Sequence, residues 1–313
     1  MSCMKKNGNV QGALLTLGGG MCWGLSGSMG QYLFTHEGMD SRWLVPIRLG
    51  LAGVILLVYC MIRFGRNYTV KPLAEMEDRK QLLIYGLAGI SLCQFLYFTT
   101  IQYSTAGAAT ILQDLSPIMI LAVECVREKR KPGWLEIGAV ILALAGIYLI
   151  TTHGTGSLGI SLFALFTGVL CAVCVTIYNC YPRKLLARYP VILLQGWSFL
   201  MGGIVFAFVF RIWEYHYVPS LMGLFGIAFV VVVGNVLAFT MYMEGVKRIG
   251  PGRGILYGFS EPVTAAVVSA LVLDTPFQIG DLIGFACIFA MLVMISLSTE
   301  KDTHQTSHSR ASR

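Results

Sequence analysis

Asp114 and Glu261 lie inside long apolar runs, and each is followed within three residues by a proline, Pro117 and Pro262. An ionisable group deep in a bilayer is costly and is usually there for function. Paired carboxyls of this kind suit binding of a cationic group or a coupling proton. The alternative is that each carboxyl acts as interhelical glue through hydrogen bonds. The prolines supply no N–H, which frees the carbonyls of Gln113 and Gly258 four residues earlier. Freed carbonyls can ligate an ammonium or an ion, and the kinks can serve as hinges; a static kink satisfied by neighbouring hydroxyls is the other reading. Arg48 offers a binding group for a carboxylate or a partner for Asp114, or it snorkels to the interface. Trp23, Tyr97, Tyr178, Tyr242 and Tyr257 are the rings placed to form a cage for an ammonium group, although any one of them serves equally well as packing. Gln94, Gln113, Asn179, Gln195 and Asn235 are amides within apolar runs, suited to a polar cavity or to bonds between helices.

These residues need a scaffold, and the composition says what kind. Apolar residues make up 56% of the 313-residue chain and charged ones only 12%, about half the usual globular share. Mean hydropathy is +0.69. So few charges cannot cover a soluble surface of this size, which excludes soluble enzymes, disordered chains and nucleic-acid binders. Continuous apolar runs, rather than short alternating ones, predict helices. Spans of about 20 residues fall at roughly 12–34, 43–63, 82–102, 105–125, 134–152, 159–181, 191–212, 220–244, 253–273 and 280–298. By helix rise, Asp114 lies about 13 Å and Glu261 about 12 Å into their spans, near the middle of a core about 30 Å thick. Arg48 lies about 7 Å in from its end. Trp43, Trp134 and Trp213 stand at span ends as interface anchors.

The net charge of +7 is unevenly placed. Of the 23 Lys and Arg residues, 20 lie before the first span, in alternate loops or in the tail; Arg42 and Arg211 lie on the other side and Arg48 within a span. The positive-inside rule then places both termini in the cytoplasm. The expected organisation is a cytoplasmic N-terminus at 1–11, five helices in 12–152, five in 157–298, and a disordered cytoplasmic tail at 299–313.

A shift of 145 residues brings Gly89 onto Gly234, Tyr97 onto Tyr242, Gly107 onto Gly252 and Pro117 onto Pro262; one further residue brings Glu128 onto Asp274 and Gly138 onto Gly284. Five is odd, so two such halves lie in the membrane with opposite orientation, the build of many secondary transporters. With these features the chain resembles the EamA-type members of the drug/metabolite transporter superfamily. The resemblance rests on Gly-Gly-Gly-Met-Cys-Trp-Gly at 18–24, Arg48 with Leu49 and Ala52, Leu-Ser-Pro at 115–117, Ser-Glu-Pro at 260–262, and Glu128 ten residues before Gly138. Asp274 stands where the second copy more often has Glu, and Gln195 stands about where the counterpart of Arg48 falls. The resemblance implies a site formed by spans 1, 3, 4, 6, 8 and 9.

Other features carry less. Cys171 and Cys174 lie mid-span without His or a second pair, as small apolar residues rather than a zinc or redox site. Gly18 to Gly20 lack the strand and spacing of a phosphate loop, and no Walker sequence is present. No cofactor or metal is called for. The reading is an all-α integral membrane protein of ten transmembrane helices in two inverted five-helix repeats. It moves a small metabolite such as an amino acid or amine across the plasma or inner membrane by alternating access, with protons as a possible coupling ion, lipid as its surroundings and no nucleic acid partner. A channel-like or structural membrane protein is the alternative. An intramembrane enzyme is further off, since no His lies mid-span.

Overall fold

The computed structural model describes residues 2–152, 160–181, 183–249, 254, 257–273 and 278–294. Gly252, Arg253, Asp274 and the 299–313 tail, on which parts of the repeat, charge and domain readings rest, lie outside the described residues. Within them the chain is all helix, with no strand. The principal helices are α1 (Ser2–Thr35), α2 (Ser41–Phe64), α3 (Met76–Tyr103), α4 (Ala106–Glu128), α5 (Trp134–Thr152), α6 (Leu162–Cys180), α7 (Val191–Val209), α8 (Leu221–Ile249), α9 (Ser260–Val272) and α10 (Ile279–Met294). Six of them, α2, α3, α4, α6, α7 and α8, are long and apolar enough to cross a membrane. The expectation of ten such spans is therefore met by six. The apolar stretches of α5, α9 and α10 are shorter within the described residues. α1 has the length, but glycines, hydroxyls and its polar first turns dilute its apolar character.

Helix starts follow local chemistry. Asp40, in extended backbone, accepts from the Arg42 amide at 2.8 Å and caps α2. Thr105, Ser161 and Ser220 cap α4, α6 and α8 by accepting from the amides of Ala108, Ala164 and Gly223. Each cap satisfies one of the orphan donors of a first turn. Gly65, at φ +82°, ends α2 in backbone that suits glycine alone.

The core is built from close helix pairs. α2 lies along α7; α1 packs against α8 and α9, and α6 against α3 and α4; α4 meets α9, and α5 meets α10. Moving every helix five places along the chain carries this set of pairs onto itself. Two further irregularities correspond. α3 widens to a π-helix over Ile84–Ser91 and α8 over Val230–Leu237, 146 residues on. α4 breaks after Gln113, and α9 begins after a turn at Phe259, each break shortly before its proline. π segments are rare and often mark functional sites.

Trp134 is 89% and Trp213 59% exposed, whereas Trp43 packs edge-on to Tyr217 at 5.1 Å. At the end of the bundle that holds the loop after α2, buried Asp78 accepts from Arg188 Nη1 at 3.0 Å and from the Tyr189 hydroxyl at 2.8 Å. Burial, and then this bond to the Asp78 carboxylate, push the Tyr189 phenol up to about 12. Tyr189→Phe removes one bond to a buried charge and is expected to cost about 1.5–3 kcal/mol. A lower melting temperature in detergent checks this. Arg211→Ala, which breaks an exposed pair with Glu214, is expected to leave the melting temperature within error.

Candidate functional site

The breaks in α4 and α9 bring the two acids together. Asp114 caps the first half of α4 with its amide bonded to Thr110, and the next amide, Leu115, reaches only Leu112 at 3.4 Å. Pro117 then resumes the helix in its first turn, where a missing N–H is harmless. Asp114 is thus held at a discontinuity, and its Oδ2 is buried without a partner. Glu261 occupies the matching first turn of α9, beside Pro262. Its carboxyl lies within electrostatic reach of Asp114 and beside the Tyr97 hydroxyl.

Aromatic residues close over the pair. Tyr97 is buried on α3, its hydroxyl 3.0 Å from Thr110 Oγ1. Gly27 of α1 leaves room for it: a Cβ there would stand 2.7 Å from that hydroxyl. Tyr242 on α8 lies within electrostatic reach of both acids, packs over Gly258, and meets Trp23 with ring centroids 4.9 Å apart. Trp23 also contacts Phe239 at 6.4 Å. Gln113 faces α6 and α3, where it accepts from Cys171 Sγ at 3.4 Å; Cys93 Sγ lies 3.6 Å from Cys171 Sγ. No group of three or more metal-ligating side chains occurs among the described residues.

Arg48 stands apart from the acids. It is 2% exposed, so it does not snorkel, and it has no ion pair with Asp114. Its Nη2 donates to Gln94 Oε1 at 3.2 Å and to Asn235 Oδ1, and its guanidinium lies 3.7 Å over the Phe98 ring. Of the readings open for Arg48, pairing with Asp114 is replaced by two amides and a ring, because α2 delivers Arg48 between α3 and α8 rather than toward α4. Gln94 and Asn235 are thereby committed to Arg48. Gln195, on the helix that pairs with α2, is buried with an unpartnered Oε1, and Asn179 turns back onto its own helix at Val175. Tyr257 leaves 38% of its surface accessible, and no ring contact among the described residues involves it. Tyr178 packs edge-on to Tyr85 at 6.4 Å and lies within electrostatic reach of Tyr242.

Thr110, Phe98, Gly27 and Ser26 were not marked as site residues by their types alone. Phe98 had one signal: it falls four residues after Gln94, on the same flank of α3. Tyr97→Phe keeps the ring but loses the hydroxyl that bonds Thr110 and stands beside Glu261. The expected result is about a tenfold fall in transport rate with unchanged yield of folded protein, since one bond to a charged group is at stake. Uptake normalised to purified protein checks it.

A helical membrane protein that draws two carboxyls and several rings together between helices from both ends of its chain has the build of a small-molecule transporter. The comparisons agree. The EamA-like transporter family matches residues 10–152 and again 162–297. The chain is 32% identical over 292 residues to the uncharacterized inner membrane transporter YicL of Salmonella typhimurium, covering 93% of this chain and 97% of that protein. It is 22% identical to the WAT1-related protein At4g16620 of Arabidopsis thaliana over 90% of this chain and 89% of that one. A solved crystal structure superposes with a TM-score of 0.65 at 15% identity, covering 93% of this chain and 98% of that one, and so shares the fold. The chain belongs to the EamA-like transporter family, within the drug/metabolite transporter superfamily.

Proposed function

We propose that this transporter is a secondary active carrier of ten membrane helices, α1 to α10, arranged as two inverted five-helix repeats over 12–152 and 157–298. The self-mapping set of helix pairs, the two π segments 146 residues apart and the two proline-associated breaks support this arrangement. The charge distribution supports cytoplasmic termini and residence in the plasma or inner membrane. The cargo is a small metabolite, such as an amino acid or an amine, bound near the midplane.

One observation carries the reading: Asp114 and Glu261, from opposite repeats, converge beside Tyr97, Tyr242 and Trp23. An uncompensated negative charge in that setting costs several kcal/mol, so a cationic group or a coupling proton belongs there. Gln113 borders the same space, and Gln94, Asn235 and Arg48 form a second polar cluster between α2, α3 and α8. Pro117 and Pro262 are the hinges about which the halves rock. In this orientation side-chain bonds tie helices together toward the outer side: Gln31 Oε1 accepts from the Ala106 amide at 2.8 Å and from Ser269 at 3.2 Å, and Thr100 donates to Thr167 at 2.9 Å.

Thiol accessibility tests the alternating opening. A single cysteine at Gln113, in a chain otherwise free of cysteine, is expected to react with a membrane-impermeant reagent from either face of oriented vesicles. Reaction from one face only would contradict alternating access.

A further inference from the structure

The Arg48 environment is unfinished. Four buried side-chain atoms there or close by have no partner: Arg48 Nε, Arg48 Nη1, Asn235 Nδ2 and Ser26 Oγ. The first three are donors only, and the fourth can donate. Arg48, Asn235 and Ser26 are 2%, 1% and 3% exposed. Among the described residues no carboxylate pairs with Arg48: its contacts are two amides and a ring. Buried donors are nearly always satisfied, and an unpaired buried cation is more costly still.

The packing draws these groups close together. Gly234 lies in the π segment of α8, and a Cβ built on it would overlap Ser26 Oγ and stand 4.0 Å from Arg48 Nη2. Ser26 of α1, Arg48 of α2 and Asn235 of α8 thus converge where the missing side chain of Gly234 lets Ser26 come close. Phe98 covers the guanidinium face at 3.7 Å, which leaves the guanidinium edge for a ligand. Gln94 and one oxygen of Asn235 orient that edge through Nη2.

We infer that Arg48, Ser26 and Asn235 form a buried binding site for a small monovalent anion, either a carboxylate or a halide. The ligand accepts from Arg48 Nε and Nη1, from Asn235 Nδ2 and from the Ser26 hydroxyl, and it neutralises the guanidinium. This site goes beyond the carrier reading: it neither includes the Asp114–Glu261 pair nor requires that cargo crosses the membrane.

The test is the melting temperature of the full chain in detergent, with sodium methanesulfonate replaced stepwise by sodium chloride or sodium formate at constant ionic strength. A ligand that binds only the folded state raises it saturably. The expected result is a saturable rise with formate or chloride. Ser26→Ala, which keeps both Arg48 bonds, should raise the half-saturating concentration about tenfold, and Arg48→Gln should remove the response. Saturation by formate assigns the site to a carboxylate, such as one end of a cargo; saturation by chloride alone assigns it to a resident halide. Either supports the site. No saturable rise in the natural chain, or the same half-saturation in Ser26→Ala, would overturn it, and the Ser26 variant decides where Arg48→Gln fails to fold. No transport enters the measurement, so its failure and that of the carrier reading are separate.

Discussion

Glu261→Gln and Asp114→Asn are each expected to abolish pH-gradient-driven uptake into proteoliposomes, a fall of more than about a hundredfold for a group that carries the coupled proton. The two acids sit at helix discontinuities, where a carboxyl can change partners without breaking a continuous helix. Asp114 Oδ2 is buried with no partner, and Glu261 shares its space with Asp114 and the Tyr97 hydroxyl. Two carboxyls interacting in a poorly solvated space titrate as a pair, so neutralising one changes what the other binds. The variants are near-isosteric and remove only the ionisable group. If one acid carries the proton and the other the cargo, the proton variant should keep exchange of cargo across the membrane while losing the response to a pH gradient. The cargo variant should lose both. Uptake at two internal pH values, beside exchange at equal pH, separates these outcomes. Unchanged gradient-driven uptake in both variants would leave the acids as structural glue.

The second large effect concerns the seam between α2 and α7. A Cβ on Gly53 would stand 2.7 Å from Leu200 Cα, and one on Gly203 would stand 2.7 Å from Gly50 Cα and 3.0 Å from the Pro46 carbonyl. These neighbours are backbone, so no side-chain rotation relieves the overlap. Small residues at such crossings let helices approach closely in a membrane, where packing drives association. Gly53→Val and Gly203→Val are each expected to destabilise the chain by about 3 kcal/mol, the upper end for overpacking, and to lower the yield of monodisperse protein. Gly50→Ala is the control on the same helix: a Cβ there meets nothing within 4 Å. Thermal unfolding monitored by size-exclusion fluorescence checks all three. If the Gly203 variant melts with the natural chain, the seam is looser than its geometry implies.

Helix positions were legible from apolar runs to within a few residues wherever the run was bounded by polar or capping residues. The run read at 43–63 is the helix Ser41–Phe64; Asp40 and Gly65 bracket it. The run read at 82–102 starts earlier, at Met76, because Glu77, Arg79, Lys80 and Gln81 are good helix formers that hydropathy alone counts as loop. The π segments were invisible, since Ile84–Ser91 and Val230–Leu237 differ from α-helix in hydrogen-bond register and not in composition. The breaks at Gln113 and Phe259 were half legible. The prolines announced them, but not that Asp114 would cap the first half of α4.

The acids were visible because charge in an apolar run stands out. The partners of Arg48 were not. Gln94, Asn235 and Phe98 reach it from α3 and α8, and nothing in their spacing says which face of each helix turns toward α2. Ser26 lies among small residues, Gly24, Gly27 and Ser28, and its type alone does not set it apart. Only the three-helix convergence distinguishes it from Ser28, which bonds the Gly24 carbonyl of its own helix at 3.1 Å.

The most direct measurement of the central claim is counterflow. A metabolite that raises the melting temperature of the purified chain is loaded at high concentration into proteoliposomes, and entry of its radiolabelled form from dilute external solution is followed. A carrier that alternates access should show a transient accumulation above equilibrium that saturates with external concentration and disappears in whichever of Asp114→Asn and Glu261→Gln removes the cargo carboxyl. Entry that only approaches equilibrium, without overshoot or saturation, would contradict a carrier and make the chain a channel; no entry of any such metabolite would contradict transport through it.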